Sequence, residues 1–126
     1  MADVAAQVHH RFKVFTGGVD AGGGIASLAG EVERFVREQG VAAKSIGVEF
    51  LERAGKLVLT VGYRDDEPAY AVRLTSRSLG KVDGLEDLGG LEARMGEAAG
   101  DLEGVLCHEL FVTDDDEFVM VFMARA

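Results

Sequence analysis

Residues 9–16 (HHRFKVFT) alternate in character, with His10, Phe12 and Val14 on one side and Arg11, Lys13 and Phe15 on the other. Successive strand side chains point to opposite faces, so this period of two predicts a β-strand. A glycine-rich loop follows at 17–24 (GGVDAGGG). The period then changes. Ile25, Leu28, Ala29, Val32, Phe35 and Val36 recur three and four apart, which gathers them into one stripe of an amphipathic helix, and Gly40 marks its stop. Alternation returns at 45–52 (SIGVEFLE) and at 57–63 (LVLTVGY). The Arg53-Ala54-Gly55 turn between them makes the pair a hairpin.

Asp65-Asp66-Glu67-Pro68 is the strongest break, because it holds the only proline and three acids. Beyond it the pattern restarts. A strand is predicted at 70–76 (YAVRLTS), a loop at 80–84 (GKVDG), and a helix through Leu85, Leu88, Glu92 and Met95 with Gly100 past its end. A second hairpin joins 105–113 (VLCHELFVT) to 117–125 (EFVMVFMAR) around Asp114-Asp115-Asp116.

The restart matches the first half residue by residue. Shifting by 60 positions puts Leu28 on Leu88, Gly30 on Gly90, Arg34 on Arg94, Gly40 on Gly100, Glu49 on Glu109 and Lys13 on Arg73. The second hairpin turn is one residue longer, so the last strands align at 61. Leu57-Val58-Leu59 then meets Phe118-Val119-Met120, and Arg64 meets Arg125. The expected fold is α+β: one domain over 1–126, built from a duplicated β-α-β-β unit (9–64 and 69–125). It would have six mostly antiparallel strands, with both helices packed on one face and a pseudo-two-fold axis between the halves. In the last strand both faces are apolar, Phe118, Met120 and Phe122 against Val119, Val121 and Met123. A sheet wet on one side shows polar residues there, so these strands should be covered on both faces, by a curled sheet or by a second subunit.

Composition narrows the function classes. The chain has 126 residues, 48% of them hydrophobic, and a net charge of −9 from 22 acids and 13 bases. Such a balance with no basic stripe disfavours nucleic acid and anionic membranes as partners. One cysteine, Cys107, permits no internal disulfide and no cysteine-pair zinc site. The N-terminal residues lack the pattern of a secretory signal and no apolar run reaches membrane-spanning length, so a cytoplasmic location is expected.

Candidate chemistry is sparse. The loop before the first helix, with Gly22, Gly23 and Gly24, lies where main-chain amides and a helix N-terminus can hold an anion. It lacks the spacing of a phosphate-binding motif and carries Asp20; a flexible connector is the plainer reading. Cys107, His108 and Glu109 are adjacent on a strand, so His108 faces away from the other two. A small thiol and a satisfied core histidine are the plainer account there. Glu49 and Glu109 correspond across the halves, as do Lys13 and Arg73. About a two-fold axis they could form a cleft that binds a polar ligand or performs acid–base work, against the plainer reading of solvated cross-strand ion pairs. No metal site and no cofactor is assigned. The function expected is a non-enzymatic ligand-binding or assembly protein that forms a homo-oligomer, with a small molecule or anion as possible ligand. The alternative is a small enzyme using Glu49, Glu109, His108 and Cys107, with Lys13 or Arg73, in the cleft between the halves.

Overall fold

The computed structural model describes residues 10–18, 24–51, 55–81, 88–113 and 116–126. The chain runs β1 (His10–Gly18), α1 (Gly24–Gln39), β2 (Ala42–Leu51), β3 (Lys56–Arg64), β4 (Val72–Lys81), α2 (Leu88–Ala99), β5 (Val105–Val112) and β6 (Glu117–Arg125). The fold is α+β. All strand pairs are antiparallel, in two three-stranded sheets ordered β1-β3-β2 and β4-β6-β5. No helix among the described residues is long and apolar enough to cross a membrane.

The expectation of one sheet with both helices on one face is corrected. The helix α1 lies between the two sheets. Its stripe of Leu28, Val32 and Val36 is almost wholly buried, against Phe15, Leu57, Leu59 and Val61 of the first sheet and Val72, Leu74, Val121 and Met123 of the second. The helix α2 covers the opposite face of the second sheet, where Leu91, Met95 and Ala98 meet Leu79, Met120 and Phe122. The order is therefore first sheet, α1, second sheet, α2. Burying one such side chain contributes about 1.5–3 kcal/mol, so the central cluster is the main source of stability. It draws on both halves, which ties them into one cooperative core.

Local signals explain the ends. Gly40 takes a left-handed φ of 63° and its N–H donates to the Val36 carbonyl at 3.0 Å, closing α1. Gly55, at φ 60°, serves the first hairpin turn. In the second turn Asp116 is left-handed at φ 59°, and the Thr113 N–H donates to the Glu117 carbonyl; Asp114 and Asp115 lie outside the described residues. The predicted loop at Gly80 is instead the end of β4. The strand continues past Ser76 to Lys81 through a bulge at Leu79, and Gly80, at φ 97°, makes the irregular turn possible. The acidic break is a charged connector: Asp65 pairs with Arg11, Asp66 and Glu67 with Arg64, and Glu67 with Lys44.

Candidate functional site

The strand registers decide which candidate residues share a surface. In the first sheet Lys13 aligns with Val61 and faces α1, its amine 5.9 Å from the centre of the Phe35 ring. Glu49 aligns with Val58 and faces the other way. In the second sheet Arg73 aligns with Ala124, on the same side as Phe122, whereas Glu109 aligns with Val121 on the α1 side. Each sheet thus separates its cation from its carboxylate. Among the described residues no hydrogen bond or ion pair joins any two of Lys13, Glu49, Arg73 and Glu109.

His108 is exposed rather than in the core, with its ring tilted 6.5 Å from that of Phe122. Cys107 is half-buried. Burial pushes its thiol above the ordinary cysteine pKa; the Ile46 main chain opposes this and the Glu109 charge adds to it. The thiolate fraction at neutral pH is therefore smaller than in a free cysteine, which works against nucleophilic attack. No group of three or more His, Cys, Asp or Glu among the described residues could hold a metal ion. Gly24 begins α1, while Gly22 and Gly23 lie outside the described residues.

The surface that stands out is the outer face of the first sheet. Arg11, Lys13 and Phe15 of β1 point toward α1, where the Phe15 and Phe35 rings meet edge-on at 5.8 Å. The apolar alternates therefore point outward, and Phe12 is 69% and Val14 56% exposed. Register adds Val58, Thr60 and Gly62 from β3, and Gly47, Glu49 and exposed Leu51 from β2. Gly62 lets the face close. A methyl there would come within 2.5 Å of Ser45 Oγ and 3.2 Å of His10 Nε2, so only glycine admits these side chains across β3. The pattern along β1 predicted both of its faces but not which one would be wet.

The sheet edges differ as well. An unpaired edge strand is a template for another chain. The β2 edge lies beside β5. The β4 edge meets α1, and the Leu74 N–H donates to the Glu33 carboxylate at 2.8 Å. Along the outer edge of β1, nothing among the described residues pairs.

Sequence reasoning assigned no site role to Arg77 of β4 or to Arg94 of α2, the latter noted only as the counterpart of Arg34. Arg77 Nη1 donates to the Ala98 carbonyl at 2.7 Å and to Asp101 at 2.6 Å, and this hydrogen bond holds the Asp101 carboxyl below its usual range. Arg94 Nη1 donates to the Leu79 carbonyl that the bulge exposes. The bulge was the missing signal, because a single sequence does not show where a strand takes an extra residue. No family model, curated protein or solved structure matches the chain.

Proposed function

We propose that this is a non-enzymatic, cytoplasmic assembly module, a duplicated β-α-β-β scaffold that self-associates through the outer face and open edge of its first sheet. The observation that carries it is the outward exposure of Phe12 and Val14 on an edge strand. Contiguous apolar surface next to unpaired main chain is costly in water and is relieved by a partner.

The second sheet supports a like partner. Val58, Thr60 and Gly62 of β3 correspond to Val119, Val121 and Met123 of β6, and Phe12 and Val14 to Val72 and Leu74. Inside the molecule those second-sheet residues join the central cluster against another helix-and-sheet layer. A surface of the same origin in a second copy is the corresponding cover for the first sheet. Charge agrees: Glu49 and Lys56 both sit on this face by register, and neither has an ion-pair partner among the described residues. Across a two-fold axis the carboxylate of one copy meets the amine of the other.

Light scattering over a concentration series tests the reading. The expected mass is a multiple of 13.4 kDa, and it falls to the single-chain value in Phe12→Ser with Val14→Thr. A single-chain mass for the unaltered protein throughout the micromolar range would overturn it.

A further inference from the structure

The groove between β4 and α2 has the makings of a small-molecule site, apart from the assembly surface. It is a shallow groove, largely open to solvent, of about 410 Å³, lined by Arg77, Ser78, Leu79, Arg94, Glu97 and Ala98. That volume falls within the roughly 300–1,000 Å³ of ordinary ligand pockets.

Its polar groups are not equally occupied. Arg77 is spent on the end of α2 and on Asp101. The Ser78 hydroxyl donates to Glu117 at 2.6 Å and accepts from the Gly80 N–H at 3.2 Å. Among the described residues Arg94 is anchored through Nη1 alone, on the Leu79 carbonyl at 2.7 Å, which holds that end of the guanidinium at the groove and leaves its other N–H groups available. Glu97, one turn along α2, is exposed, and its carboxylate makes no hydrogen bond or ion pair among the described residues. A guanidinium and a carboxylate three residues apart on a helix readily pair. Here they line one groove without doing so, and the backbone anchor on Arg94 is the reason.

We propose that this groove binds a small zwitterion of the amino-acid type, its carboxylate on the Arg94 guanidinium and its ammonium on Glu97. A planar guanidinium fork matches a carboxylate, and charge-assisted hydrogen bonds are the strong ones. Glu97 repels a simple polyanion such as phosphate, so the opposite charges select a ligand that carries both. The apolar edges of Leu79 and Ala98 flank the ligand's carbon atoms. The site uses none of the residues of the first-sheet surface, so it stands or falls independently of the assembly reading.

The test is a ¹⁵N–¹H NMR titration of the full chain with glycine and L-serine, beside acetate and methylammonium as half-ligands. The expected result is saturable shifts of the amides at 78–80 and 94–98 with the amino acids at millimolar concentration. Binding should be about tenfold weaker for either half-ligand and for Glu97→Gln, the loss of one charge-assisted contact. Glu97 is exposed, so that variant keeps its fold, and unchanged spectra elsewhere verify this. An absence of saturable shifts, equal binding of acetate alone, or unaltered binding in Glu97→Gln would each overturn the proposal.

Discussion

The central strands β3 and β6 hold the same place in their sheets, yet meet different surroundings. One face of each packs on its own helix: Leu57, Leu59 and Val61 on α1, and Phe118, Met120 and Phe122 in the cluster that holds α2. The reverse faces part company. Val119, Val121 and Met123 enter the central cluster, whereas Val58, Thr60 and Gly62 lie beside the exposed Phe12 and Val14. The residues follow the environment. The doubly covered strand is apolar on both sides, and the singly covered one has threonine and glycine on its open side. The open side is nevertheless less polar than a solvated sheet face should be, which is what the proposed self-association rests on.

The largest expected effect lies where coverage is double. Met123→Ala should cost about 2–5 kcal/mol in chemical denaturation, through lost burial and the cavity left behind. Val14→Ala on the open face should stay within about 0.5 kcal/mol for the isolated chain. Equal costs at the two positions would break the comparison between the sheets.

Next comes the bulge, for which the described part of the first sheet has no counterpart in β1. Gly80→Ala forces a side chain into φ 97° and sets a methyl 2.7 Å from Arg94 Nη1. A loss of about 1–3 kcal/mol is expected by thermal unfolding, with most of it from the backbone, since the arginine tip can move. Gly30→Ala should do the reverse. Nothing lies within 4 Å of a methyl at that helical position, so a gain of about 0.4–1 kcal/mol is expected. If the proposed assembly is found and is lost in Gly30→Ala, α1 belongs to its interface as well.

The smallest effects are those of pH. The folded Cys107 thiol has a raised pKa, so its contribution to stability is fully present below the unfolded-state value near 9.0 and is lost as pH rises through the folded value. Cys107→Ser should flatten the alkaline limb of the stability curve, and an unaltered limb would mean the thiol is more accessible than its burial indicates. Asp101 works in the opposite direction. Its lowered pKa gives stability above the ordinary carboxylate value of 3.8 that is lost as pH falls through the folded value, an effect Asp101→Asn should remove. Because Asp101 is fully exposed, the effect should shrink with added salt.

Much of the fold was legible before any coordinates. The stripe from Ile25 to Val36, the glycine stop at Gly40, both hairpins and the double coverage of the last strand all stand in the structure. The second helix was harder to read, because the stripe that packs is Leu91, Met95 and Ala98 rather than Glu92, which is exposed. The candidate site was scarcely legible. Pairing Glu49 with Glu109 and Lys13 with Arg73 assumed a symmetric cleft; no hydrogen bond or ion pair joins these four among the described residues, although a Glu109 carboxylate oxygen would lie 3.8 Å from a methyl at Gly47, two residues from Glu49.

Periodicity by itself determined where the strands and helices lie, since a period of two or of 3.6 follows from backbone geometry alone. It also determined that β1 has an apolar side and a cationic side. Only the tertiary structure decided which of them faces water. Arg11 and Lys13 stay exposed while their charges reach Asp65 and the Phe35 ring, so turning the cationic side toward the helix costs little and buries only Phe15. The position of α1 between the sheets then left Phe12 and Val14 outside, because one helix placed there covers one face of the first sheet and the reverse face of the second.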